Sequence, residues 1–338
     1  MNPTPPLLEV KNITKHFDIS GGFLEKLSLE NMRPVLKKTV VHALNDVSFS
    51  IIAGETFSIV GESGCGKSTL GRAVLGLYPP SSGQIYYYGT RIDVLNAREM
   101  LPYRRKMQMV FQDPYASLNP RMKVEQTLME PVLFHNPAIT MLEARDLVSE
   151  IMEQVGVDPL WASRYPHEFS GGQRQRISIA RALMVEPEFI VADEPISALD
   201  VSIQAQILNL FMEAQETRGL TYLFITHDMS VVKHISTRVA VMYLGTICEL
   251  ARTEALFTRP RHPYTQALLS AIPVLGTKKA RHIKLKGEVP TPIDLPKGCV
   301  FHKRCPHVFA RCREEVPLLA EYDSGRLLAC HGVEEGRI

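Results

Sequence analysis

The chemistry of this chain is concentrated in one stretch, Gly61-Glu62-Ser63-Gly64-Cys65-Gly66-Lys67-Ser68-Thr69. It follows the apolar run Thr56-Phe57-Ser58-Ile59-Val60 and precedes Leu70 to Leu77, which reads as helix. A strand, a glycine-rich loop and a helix opening on Lys-Ser form the context that a phosphate-binding loop needs. Gly61, Gly64 and Gly66 permit backbone angles that a Cβ resists, so successive N–H groups can curl around phosphate oxygens. The helix N-terminus adds unpaired donors and partial positive charge. Lys67 brings a full charge to the β- and γ-phosphates, and the Ser68 hydroxyl is placed to ligate Mg²⁺. The plain alternative is a glycine-rich turn followed by a chance Lys-Ser.

Such a loop needs a second, carboxylate-bearing strand. Asp193 ends the apolar run Phe189-Ile190-Val191-Ala192 and is expected to hold Mg²⁺, mainly through water, opposite Ser68. Glu194 follows and is the candidate general base that polarises the attacking water. Acids that merely cap a helix after a strand are the bland reading of the same pair.

The elements that must position these residues are legible in turn. Leu7 to Ile13 alternates as a strand, with Phe17 closing the stretch, and Val41 to Ile52 resumes as strand. Between them, about Ser20 to Thr39, the pattern lapses into a loop insertion. There Phe23, Leu24, Leu27 and Met32 predict one or two short amphipathic turns. Further strands are expected at Gln84 to Tyr88 and Lys106 to Phe111. From about Pro114 to Pro166 the chain reads as a helical subdomain. Thr140 and Glu143 make a capping box, Leu147, Val148, Ile151, Met152 and Val155 share one face, and Gly156 ends the helix. Ser170-Gly171-Gly172-Gln173 opens a helix running to Val185. A helix from Ile203 to about Gln215 and a strand from Thr221 to Thr226 follow, ending at His227-Asp228. Arg238 to Leu250 reads as paired strands turning at Leu244-Gly245. Alternating strands and helices argue an α/β class with a mainly parallel core sheet, interrupted by the helical subdomain. Beyond Ala251 prolines punctuate an irregular, cysteine-rich extension, so the expected domains are 1–250 and 251–338.

The bulk properties set limits. A length of 338 residues suggests about two domains. A hydrophobic content of 45% is enough for a large core. A net charge of +2 gives no case for nucleic acid as partner. No run approaches the roughly 18 apolar residues of a membrane span. Met1 to Leu8 is proline-rich without a signal pattern, so a cytosolic placement is expected, with docking onto a membrane protein still open. Four of six cysteines, Cys299, Cys305, Cys312 and Cys330, crowd the tail, which in a reducing compartment favours a metal over disulfides.

The order of motifs resembles the ATPases of ABC transporters. Ser170-Gly171-Gly172-Gln173 resembles their signature segment and Asp193-Glu194 their second carboxylate strand. Gln112 in Phe-Gln-Asp-Pro resembles the glutamine that contacts Mg²⁺ and water, and Ser197-Ala198-Leu199-Asp200 resembles the loop facing a partner subunit. His227 resembles the histidine that contacts the γ-phosphate, and Phe17 the aromatic residue that stacks on adenine. The resemblance implies an ABC-type P-loop ATPase fold, in which an antiparallel β subdomain accompanies the parallel core sheet and the helical subdomain, with ATP and Mg²⁺ as cofactors. The signature segment of one subunit would face the nucleotide held by another.

Within that family the segments Phe111 to Met122, Arg164 to Gln173, Asp200 to Gln206 and His262-Pro263-Tyr264-Thr265 resemble oligopeptide/dipeptide importer ATP-binding subunits, and the insertion at about Ser20 to Thr39 together with the tail resembles the second, F-type subunit of a heterodimeric pair. Nickel and antimicrobial-peptide importers share these motifs; a soluble ABC ATPase is the remaining alternative. The resemblance implies a homologous ATPase partner, two membrane permease subunits, an external peptide-binding protein and a place on the cytoplasmic face of the cell membrane. It further implies a [4Fe–4S] cluster on the four tail cysteines, with structural zinc as the alternative. Lys303, Arg304, Arg311 and Arg313 would offset the cluster's charge or form a solvated basic face.

Overall fold

The computed structural model describes residues 5–20, 27–30, 33–36, 38–272, 283–323 and 325–338. The chain divides into two compact units.

The first unit comprises Met1–Ile51, Ile59–Asp93 and His227–Ile338. One antiparallel sheet pairs the strand Leu8–Asp18 with Val40–Ile51 on one side and Ser82–Tyr87 on the other. Leu8, Val10 and Ile13 are buried from the first strand, but the register breaks between Val10 and Ile13, where Asn12 takes φ +49°. That bulge defeats simple alternation. Between the two long strands, Leu27–Glu30 and Arg33–Leu36 pair antiparallel as a hairpin, so the amphipathic turns expected from Leu27 are replaced by strand. Phe23, Leu24 and Met32 lie outside the described residues.

In the same unit Arg238–Tyr243 pairs antiparallel with Thr246–Arg252. The turn is Leu244-Gly245, both at positive φ, as a tight hairpin requires. Here the structure corrects the expectation of an irregular tail: Arg326–Leu328 adds to Thr246–Arg252, and Ala320–Asp323 adds to Arg326–Leu328. The extension therefore adds two strands at the edge of Thr246–Arg252.

The second unit comprises Ile52–Ser58 and Val94–Thr226. Met107–Val110, Phe189–Asp193 and Thr221–Thr226 run parallel, with Phe189 opposite both Met107 and Thr221. The last two strands are buried throughout, which explains their unbroken apolar sequence. Each fully buried large aliphatic or aromatic side chain contributes about 1.5–3 kcal/mol. The helices Val124–His135, Met141–Gln154 and Gly171–Leu183 belong to this unit. Thr140 and Glu143 form the expected reciprocal cap, and Val148, Ile151 and Met152 are buried. Leu147 is instead 39% exposed, because it lies at the edge of the apolar stripe.

Candidate active site

In the first unit the residues after the buried strand Thr56–Val60 form a tight loop against backbone. A Cβ on Gly61 would fall 2.1 Å from the Met242 carbonyl oxygen. Gly66 caps the helix Lys67–Val74 at φ +104°, and a Cβ there would fall 2.3 Å from the Ala43 carbonyl oxygen. Gly64 has φ +79° with open space beside it, so conformation alone explains that glycine. Lys67 is 4% exposed, and its ammonium donates to the Gly61 and Glu62 carbonyls at 2.8 and 3.0 Å. Its charge is thereby folded back over the loop. Ser63 and Gly64 are exposed, while Ser68 and Thr69 are half-buried in the first helical turn. Burial pushes the Cys65 thiol up despite the neighbouring Lys67, so this cysteine packs as a neutral group.

Phe17 is half-buried in the same unit, opposite Val41, with its ring edge-on to Tyr78 at 5.5 Å and the Lys15 ammonium 4.9 Å from its centroid. His227 is exposed just before Asp228, whose carboxylate caps the helix Met229–Ile235.

In the second unit Asp193 is the last residue of its strand and only 1% exposed. Glu194 has φ +46°, a left-handed conformation that costs a residue with a Cβ about 1–2 kcal/mol. Its backbone N–H donates to the Ile225 carbonyl at 2.9 Å, which fixes the turn. Gln112 Nε2 donates to Glu194 Oε2 at 3.3 Å, so these two predicted site residues meet directly. Ser170 opens the helix Gly171–Leu183: its hydroxyl accepts from the Gln173 N–H, and Gln173 Oε1 accepts from the Ser170 N–H. A Cβ on Gly172 would lie 2.6 Å from Ile203 Cγ2, so only glycine lets these helices approach. Asp200 is exposed at the start of the helix Val201–Arg218.

Each unit carries groups whose chemistry suits part of a magnesium nucleotide. The glycine cradle and buried lysine of the first unit suit phosphate oxygens, and a helix N-terminus of the second supplies another anion-binding end. Ser68, Gln112 and Asp193 are oxygen donors of the hard kind that Mg²⁺ selects.

The tail cysteines fit their expected group less well. Burial and neighbouring thiols push Cys299 up to about 12 and Cys305 up to about 11, and Cys330 is raised for the same reasons. The four thiols thus share one neighbourhood. Yet among the described residues no three His, Cys, Asp or Glu groups converge as a metal would require. The donor set suits iron–sulfur or zinc in kind, but it is not gathered into a ligand cage.

Two contacts at the phosphate loop escaped the sequence. Arg304 is neither a counter-charge facing the cysteines nor part of a solvated basic face. Its side chain is 9% exposed and grips Glu62 with two nitrogens, at 2.6 and 3.1 Å. The Tyr264 hydroxyl accepts the Glu62 backbone N–H at 3.0 Å. Nothing in the local sequence marks Arg304, which lies 242 positions from its partner.

Comparison with known proteins agrees with this geometry. Residues 44–197 match the family described as ABC transporter, and residues 248–312 match the oligopeptide/dipeptide transporter C-terminal region. The oligopeptide transport ATP-binding protein AppF of Bacillus subtilis is 51% identical over 329 residues, 96% of this chain and 97% of AppF. The chain belongs to the oligopeptide/dipeptide family of ABC transporter ATP-binding proteins. The dipeptide transport ATP-binding protein DppF of Escherichia coli is 46% identical, over 98% of this chain and 95% of DppF. Among solved structures, an ATP-binding cassette in a dimeric post-hydrolysis state with ADP and Pi matches at TM-score 0.63. It is 29% identical and covers 73% of this chain and 98% of that one. The fold is accordingly that of an ABC ATPase, with parallel core strands, an antiparallel β portion and a helical portion.

Proposed function

We propose that this chain binds MgATP and hydrolyses it to energise the import of oligopeptides or dipeptides across a membrane. The observation that carries the reading is the loop from Gly61 to Gly66, pressed against backbone with the Lys67 ammonium folded over it, in a chain so similar to peptide-transport ATP-binding proteins. When bound, MgATP supplies the phosphoanhydride bond whose cleavage drives transport. In this reading the Gly61–Thr69 loop holds the phosphates, and Ser68, Asp193 and Gln112 hold Mg²⁺. Phe17 stacks on the base, Glu194 takes a proton from the attacking water, and His227 contacts the γ-phosphate end. The Gln112–Glu194 hydrogen bond supports a coupled pair that orients this water.

Ser170, Gly171, Gly172, Gln173 and Asp200 are assigned to the nucleotide of a second, homologous ATPase subunit. Two permease subunits and an external peptide-binding protein complete the assembly, with this chain peripheral on the cytoplasmic face. Among the described residues no helix is long and apolar enough to cross a membrane, which agrees with a peripheral role. Residues 1–250 form the ATPase part of this reading and 251–338 the extension, whose four cysteines would have to draw together to hold [4Fe–4S] or zinc. Support for the metal is the shared neighbourhood of the four thiols.

The test is ATP hydrolysis by the assembled transporter. Glu194→Gln retains nucleotide binding while phosphate release falls on the order of 10²–10⁴-fold, as for loss of a general base. Turnover close to that of the unmodified protein would remove Glu194 from the role of base.

A further inference from the structure

The extension reaches into the phosphate loop at one residue, and it does so twice. Glu62 is the first residue after Gly61 in the loop, and its carbonyl accepts a hydrogen bond from the Lys67 ammonium. The Arg304 guanidinium binds both oxygens of the Glu62 carboxylate, at 2.6 and 3.1 Å. The Tyr264 hydroxyl accepts from the Glu62 N–H. Both partners are held firmly. Tyr264 is fully buried in the helix Pro263–Ser270 and packs edge-on against Tyr243, with ring centroids 4.8 Å apart. The Phe301 ring contacts both tyrosines. Arg304 sits on a turn whose Arg304 and Cys305 N–H groups both donate to the Phe301 carbonyl at 3.0 Å. Its guanidinium lies 5.9 Å from the Tyr243 centroid.

We propose that Arg304 is a positioning residue for nucleotide binding: it neutralises and anchors the Glu62 carboxylate, so that the phosphate loop presents a net cationic face. The inference rests on the nucleotide-binding reading given above. Its physical basis is charge. A phosphate loop attracts anions through N–H dipoles and one lysine, and a carboxylate within that loop opposes this attraction. Glu62 is close enough for its charge to act on the Cys65 thiol in the middle of the loop. A bidentate guanidinium cancels that charge and fixes its direction, which an ammonium could not do equally well. Because the cation comes from the extension, the affinity of the phosphate loop depends on the extension being seated.

The experiment is equilibrium titration of the full chain with a fluorescent ATP analogue and Mg²⁺. Lys67→Ala serves as the control for the reading itself. Arg304→Met is expected to weaken binding roughly tenfold at low salt, from one uncompensated charge near a polyanion. The loss shrinks at high salt, because a screened charge repels less. Arg304→Lys keeps the charge without the fork and recovers part of the affinity. Adding Glu62→Gln to Arg304→Met recovers most of it, since the repelling carboxylate is then gone. If Arg304→Met binds as tightly as the unmodified chain, the proposal is overturned. It is equally overturned if the loss is independent of salt and survives in the double variant, because the effect then lies in packing. If Lys67→Ala binds as tightly as the unmodified chain, the nucleotide reading fails, and the inference fails with it.

Discussion

His262 should make this protein acid-sensitive in a defined window. Its imidazole is buried, caps the helix Pro263–Ser270 by accepting the Tyr264 N–H at Nδ1, and lies 5.6 Å from the Phe301 ring. Its own backbone N–H donates to Glu249, a buried carboxylate that also pairs with Arg326 at 2.7 Å. Burial lowers the His262 pKa from 6.5 to about 4. A group whose folded pKa is depressed binds fewer protons folded than unfolded, so its stabilisation is complete above pH 6.5 and is lost as the pH falls through about 4. The linkage gives a loss of about 2 kcal/mol at pH 5 and about 3 kcal/mol below pH 4. Asn also accepts at an N-cap but does not titrate, so His262→Asn should flatten this part of the profile. Hydrogen exchange at the Tyr264 amide, corrected for intrinsic pH dependence, reports the local opening, and urea unfolding at each pH reports the whole. Identical pH profiles for His262→Asn and the unmodified protein would refute the argument.

The glycines of the loop differ in a way that mutagenesis can read. Gly66→Ala forces a Cβ onto the Ala43 carbonyl at positive φ and should cost about 3 kcal/mol, whereas Gly64→Ala meets no neighbour and should cost about 1–2 kcal/mol. Thermal unfolding of the two variants checks the order. Metal analysis of anaerobically purified protein addresses the tail. Iron and sulfide near four each per chain is expected for the cluster, stoichiometric zinc would replace that cofactor, and neither metal would remove the assignment.

The sequence displayed the nucleotide chemistry because that chemistry is local. The bounds of Thr56–Val60 and Thr221–Thr226, the Thr140–Glu143 cap and the Leu244-Gly245 turn were all readable, since each is set by periodicity or by a few adjacent residues. What escaped was non-local. The Asn12 bulge depends on pairing with two neighbouring strands. The strands at the C-terminal end exist because Thr246–Arg252 offers them an edge, and their own sequence carries little alternation. Arg304 reads as one more basic residue in a basic tail until the fold brings it to Glu62. The positive φ of Glu194 has no signature in residue type, because strand and turn geometry impose it. The cysteines differ again: their number and crowding suggest a cage, and among the described residues they do not converge as one.

If this chain is the motor of an importer, ATP hydrolysis must drive peptide import. The most direct measurement is peptide uptake into proteoliposomes holding the assembled transporter, with MgATP on the side of this chain and the peptide-binding protein on the other. Uptake is expected to require hydrolysable ATP and to fall about a hundredfold or more with Glu194→Gln, while nucleotide binding persists. Uptake that proceeds without hydrolysable ATP, or that Glu194→Gln leaves unchanged, would rule out hydrolysis here as the driving step.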